Sequence, residues 1–172
     1  MSAADSATDP PFDWQTRFLG SYHDDLPHWV VERGRYAVTF RCAGTLPKAV
    51  VARMEEQRRL LGEVLPQSEE AENARRRLFL ALETYLDKGY GFAPFRDTSV
   101  AKSFHTWLSD YRLCGERLLS DFVIMPNHLH LVTREVKFES TAEFRKTWSQ
   151  FKGRSAFFLN RLLKRTGPFW QT

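Results

Sequence analysis

Polar and apolar positions alternate with a period of two along Arg35-Tyr-Ala-Val-Thr-Phe-Arg-Cys42. Tyr36, Val38, Phe40 and Cys42 fall on one face, with Ala37, Thr39 and Arg41 on the other, and the β-rich composition makes this the first predicted strand. The period then lengthens to that of a helix. Leu46-Pro47 opens the first helix, with proline well placed at its first position; it runs through Val50, Val51, Met54, Leu60 and Leu61 to about Gly62. A second, highly charged helix is predicted from about Ser68 to Lys88, stopped at Gly89, with Leu78, Leu82 and Tyr85 as its apolar stripe. Asp97 or Thr98 caps a third helix carrying Val100, Phe104, Trp107, Leu108 and Tyr111, with Tyr111 at its hand-over to a strand.

Two further apolar runs, Arg117 to Met125 and His128 to about Val136, flank a Pro126-Asn127 turn and read as antiparallel partners. Ser140-Thr-Ala-Glu143 matches a capping box. Phe144, Trp148, Phe151, Phe158 and Leu162 then keep to one helical face. Gly153 is expected to divide that segment, with Ser155 capping its second half and Gly167-Pro168 ending it. Phe169-Trp-Gln-Thr172 reads as the opening of another strand. Residues 1–25 are expected to form a disordered tail that passes into an aromatic-rich arm, and residues 26–172 one domain. The order β, α, α, α, β, β, α, (β) implies an α+β fold with helices on a mainly antiparallel sheet.

Composition narrows the class. At 172 residues, with 42% hydrophobic and 14% aromatic residues, the chain can bury one core. Cys42 and Cys114 form no C-x-x-C element, no signal-peptide pattern opens the chain, and no apolar run reaches membrane-spanning length. A soluble cytoplasmic protein without a membrane partner, associated with the nucleoid, is expected. Net charge is only +4, yet seven bases (Arg145, Lys146, Lys152, Arg154, Arg161, Lys164 and Arg165) face a single acid, Glu143, from Thr141 onward. Such a segment fits a polyanion partner, and it equally fits a solvated helix face.

The candidate chemistry lies in Phe122-Val-Ile-Met-Pro-Asn-His-Leu-His-Leu-Val-Thr133. On a strand, His128 and His130 share one face while Leu129 and Leu131 point into the opposite layer. Two imidazoles side by side make a pincer for a divalent cation, or a pair of hydrogen-bonded core residues. A histidine-triad hydrolase would need His where Val132 stands. A His-x-His-x-Asp-His hydrolase would need Asp and His where Val132 and Thr133 stand. Both are excluded.

Several anchors now coincide: Leu26-Pro-His-Trp29, Tyr36-Ala-Val-Thr-Phe-Arg41, Leu46-Pro47, Val123-Ile-Met-Pro-Asn-His-Leu-His-Leu131, Phe151-Lys-Gly153, Asn160-Arg-Leu-Leu163 and Gly167-Pro-Phe-Trp-Gln171. In this order and approximate spacing they make the chain resemble the REP-associated tyrosine transposases, relatives of the HUH-class single-strand transposases of small insertion sequences. The resemblance spans about residues 26–172. It implies a ferredoxin-like (RRM-like) sheet with the histidine pair on a central strand, acting on single-stranded or hairpin DNA as a monomer or homodimer. It implies that His128 and His130 hold Mg²⁺ or Mn²⁺ for cleavage and strand transfer. Arg145, Lys146, Lys152, Arg154 and Arg161 are the candidate DNA contacts, with Trp148, Phe151 or another ring available for base stacking.

The pattern departs from the family's in one respect. The nucleophilic tyrosine of the family lies beyond the Phe-Trp-Gln element, on a helix that also supplies a third metal ligand, whereas Tyr22, Tyr36, Tyr85, Tyr90 and Tyr111 all precede the histidines. A domain shortened at its C-terminus, without its last strand and C-terminal helix, is therefore expected to form no covalent DNA adduct. A non-catalytic hairpin-binding module or regulator is the alternative.

Overall fold

The computed structural model describes residues 16–23, 27–62, 69–114 and 118–171. Strands β1 (Phe18–His23), β2 (Pro27–Val31), β3 (Arg33–Gly34) and β4 (Ala37–Arg41) come first, then helices α1 (Lys48–Gly62) and α2 (Glu69–Asp87). A 3₁₀ turn at Pro94–Arg96 leads into α3 (Thr98–Cys114), followed by β5 (Leu119–Met125), β6 (His128–Thr133), β7 (Val136–Lys137) and α4 (Thr141–Leu162). The fold is α+β, with helices packed on antiparallel sheets.

The central sheet has the order β4-β6-β5 and is antiparallel throughout. Its two faces follow from the alternation along β6. Leu129 and Leu131 are buried under α3 and α4, together with Phe40, Phe104, Leu108, Trp148, Phe151 and Leu159. Phe40 stacks on Phe151 at 5.3 Å between ring centroids, and Phe104 and Trp107 stack at 5.7 Å. Aromatic residues supply much of this core because each removes a large apolar area from water. Trp148 and Phe151 are thus packing residues, not free stacking platforms.

A separate apolar cluster lies between α1 and α2: Met54, Leu78, Leu82 and Leu86, with Leu46 and Val50 against it. Leu78 and Leu82 of the predicted stripe therefore pack on α1, with Leu86 and not Tyr85 as their third member.

Several expectations need correction. Phe18–His23, inside the segment read as a tail, is a strand paired with β2, so three short strands precede the one predicted first. Aperiodic side chains concealed it, because Val30 and Leu19 reach the core without imposing a regular alternation on either strand. The remaining tail residues, 1–15 and 24–25, lie outside the described residues, as does Ser68, the predicted start of the second helix.

Helix α4 is not divided at Gly153 but continues for 22 residues. A mid-helix glycine costs about 1 kcal/mol relative to alanine, which the burial of Phe151 and Leu159 on either side outweighs. Ser155 caps nothing; its hydroxyl donates to the Phe151 carbonyl at 2.8 Å. The helix ends before Gly167, at Lys164 in the left-handed region (φ 51°), where the Arg165 amide reaches back to the Asn160 carbonyl at 2.9 Å.

At the other end of α4, Ser140 accepts from the Glu143 amide as predicted, but the Glu143 carboxylate takes the amide of Glu139, one residue before the cap. Tyr111 lies inside α3, which runs on to Cys114. Phe169 to Gln171 lie along the edge of β4. Trp170 bridges Cys42, the Ala43 amide donates to the Phe169 carbonyl, and the Gln171 amide donates to the Arg41 carbonyl.

Candidate metal centre

The turn between β5 and β6 positions the histidines. Its two carbonyls are used by neighbouring segments: Pro126 accepts from the Phe95 amide at 3.1 Å, and Asn127 from the Cys42 amide at 2.9 Å. Asn127 is fully buried, and its amide nitrogen donates to the Tyr90 carbonyl at 3.1 Å. A carbonyl can only accept, so this bond fixes the orientation of the Asn127 amide. Its oxygen then faces Nδ1 of His128 at 2.9 Å. That oxygen can also only accept, so Nδ1 carries the proton and Nε2 of His128 presents a lone pair.

Nε2 of His128 lies 2.9 Å from Nε2 of His130, with the rings nearly perpendicular at 87°. Two bare lone pairs at that distance repel. The contact is favourable when His130 Nε2 carries a proton, or when a cation sits before both nitrogens. Thr39, the cross-strand partner of His130, serves either arrangement, with its Oγ1 2.9 Å from His130 Nδ1. The hydroxyl donates when Nδ1 is bare and accepts when Nδ1 is protonated. Two ligands about 2.1 Å from an octahedral ion, at right angles to each other, stand about 3 Å apart, so the observed separation fits a shared cation.

A third donor arrives from α2. Oε2 of Glu83 lies 3.6 Å from His130 Nε2. Donor atoms of Glu83, His128 and His130 all fall within 4.8 Å of one another, a set able to hold a metal ion. Among the described residues Glu83 has no hydrogen-bond donor of its own. Burial raises its carboxyl pKa, and the attraction of His130 opposes that shift only in part. The His128 imidazole moves the other way, lowered to about 4 by burial first and by His130 second, so it is neutral and competent as a ligand near neutrality.

Of the predicted site residues, the structure brings His128 and His130 together and adds Glu83. It places the five candidate DNA contacts elsewhere. Arg145, Lys146, Lys152, Arg154 and Arg161 belong to α4, which packs on the Leu129/Leu131 face, opposite the histidines. Lys152 Nζ bonds the Gln171 carbonyl at 2.7 Å, while Arg154 and Arg161 line a groove between α3 and α4 with Trp107, Tyr111 and Phe157.

Arg41, cross-strand from His128, places a base on the histidine face. Val123 and Val132 share that face and are 56% and 41% exposed, so the sheet beside the histidines is open to solvent. Glu83 is missing from the sequence reading because the second helix is read only for its apolar stripe, and nothing along the chain sets this acid apart from the others on that helix.

An α+β domain with an antiparallel sheet, a buried and a partly exposed histidine and a carboxylate converging on the face opposite α3 and α4 defines a candidate metal centre. No family model, no curated protein and no solved structure matches this chain.

Proposed function

We propose that this is a metal-dependent DNA-processing domain of the transposase kind its sequence resembles, acting on or binding single-stranded or hairpin DNA at the open sheet face. The observation that most supports this is the convergence of His128 and His130, 2.9 Å apart at Nε2, beside Glu83 and an exposed face. Mg²⁺ or Mn²⁺ would be held by these three groups. The two-nitrogen, one-oxygen donor set favours Mn²⁺, imidazole being a softer donor than Mg²⁺ prefers. Such a cation polarises a phosphate oxygen as a Lewis acid. The protein's part is to keep His128 Nε2 unprotonated through Asn127, to orient His130 through Thr39, and to offer Arg41 and the Val123–Val132 surface to the strand.

The polar partners of the histidine ring nitrogens are Asn127, Thr39, Glu83 and each other; among the described residues no tyrosine hydroxyl is one of them. That observation favours a second reading, a hairpin-binding module without chemistry. Labelled hairpin-tailed single strands, incubated with residues 1–172 and MnCl₂, distinguish the two. Manganese-dependent retention that is lost in His128→Ala and His130→Ala, with no covalent species on a denaturing gel, is expected. Retention that needs neither metal nor histidines would establish the module instead, and a protease-sensitive covalent adduct would show that a nucleophile is present.

A further inference from the structure

Helices α1 and α2 form a hairpin that is nearly independent of the domain carrying it. Their apolar cluster shares no residue with the main core. The hairpin leaves and rejoins the body at one base, where the Phe92 amide approaches the Gly44 carbonyl at 3.4 Å. Gly44, Gly89 and Gly91 at that base all have positive φ (76°, 65° and 70°). At Gly91 a side chain is impossible without movement, since a Cβ would stand 2.4 Å from the Gly44 carbonyl oxygen. The next residue back, Tyr90, supplies the carbonyl that orients Asn127 and, through it, His128. The hairpin thus springs from a tight joint adjoining the metal centre.

Among the described residues, Glu83 is the hairpin's polar approach to the histidine strand, at 3.6 Å from His130. That distance is too long for a hydrogen bond. The carboxylate has lost much of its water, with a side-chain exposure of 19%, and has no donor of its own among the described residues. Without a cation, desolvation works against holding Glu83 at the site. With one, Glu83 becomes a ligand and the same position is favoured.

We propose that Glu83 is the group through which a bound divalent cation fastens the α1–α2 hairpin onto the sheet, so that metal binding and hairpin docking are one coupled equilibrium. This rests on the metal-centre reading given above. Coupling is reciprocal: whatever factor the cation contributes to docking, docking contributes to cation affinity. The docked hairpin then fills one ligand position and leaves others to phosphate oxygens.

Hydrogen exchange of the 1–172 chain, with and without saturating MnCl₂, tests this directly, alongside Mn²⁺ binding followed by electron paramagnetic resonance. In the wild type, Mn²⁺ should slow exchange of α2 amides from Leu78 to Asp87 about tenfold, roughly 1.4 kcal/mol. In Glu83→Gln that slowing should vanish and Mn²⁺ affinity fall by the same factor, while His128→Ala should abolish binding. Unchanged α2 exchange in manganese-loaded wild type, or wild-type affinity in Glu83→Gln, overturns the coupling but leaves the metal centre standing. Failure of the wild type to bind Mn²⁺ overturns both. The wild-type exchange experiment decides the matter even if the variant does not fold.

Discussion

At His128 the position of a single proton decides whether the strand carries a ligand or a core residue. The Tyr90 carbonyl, the Asn127 amide and Nδ1 form a one-way relay that ends in a lone pair on Nε2. His-x-His on a strand was sufficient to place the two rings on one face. The relay could not be read from the sequence, because it depends on a carbonyl 37 residues away. The same burial makes a testable pH dependence.

Unfolded, the imidazole titrates near 6.5; folded, near 4. Between these values the unfolded chain binds more protons, so in chelator the stability should fall as pH drops from about 6.5 toward 4. Above that window His128 contributes no pH dependence. Urea midpoints measured from pH 4.5 to 7.5 should show the slope, and His128→Asn should flatten it.

Among the elements, α4 shows how far a hydrophobic stripe outranks local punctuation. Phe144, Trp148, Phe151 and Leu159 are buried along one side, and Gly153 sits on the exposed side with nothing within 4 Å of where its Cβ would be, so the helix passes through it. Ser155 was assigned to a cap on propensity, yet it is fully buried and accepts the Trp170 indole N–H at 2.9 Å. Replacing it with alanine leaves that buried donor without its partner. Ser155→Ala should therefore cost about 1–3 kcal/mol, read as a shift in the urea midpoint, and release the Phe169–Gln171 segment to faster hydrogen exchange. The pairing of that segment with β4 was legible only as a strand beginning; its partner was not, since an isolated bridge leaves no periodic trace.

Considered as a whole, the molecule presents two dissimilar sides. One is the sheet face with the candidate metal centre, Arg41, Val123 and Val132; the other is the helix layer bearing the basic residues of α4. The sequence showed both features but not the sheet between them, because charge clustering along the chain carries no information about which layer a helix joins. On the proposed reading, a phosphate held at the histidines would lie on the face of Arg41 and not on that of Arg154 or Arg161. On single strands each phosphate contact contributes roughly −0.7 to the logarithmic salt slope. Arg41→Ala should reduce the slope of manganese-dependent DNA binding by about that amount, and Arg154→Ala with Arg161→Ala should leave it unchanged. Binding titrations from 50 to 300 mM salt, about a sixfold range over which such slopes are resolved, would check both.

The segment from Phe169 to Gln171 has one more consequence. Its amide and carbonyl occupy the outward hydrogen-bonding groups of Arg41 and Ala43, beside the metal face. An unsatisfied strand rim there would be a template onto which a neighbouring polypeptide could zip. With Arg41 to Ala43 already paired by the chain's own backbone, that stretch of the border does not invite strand exchange.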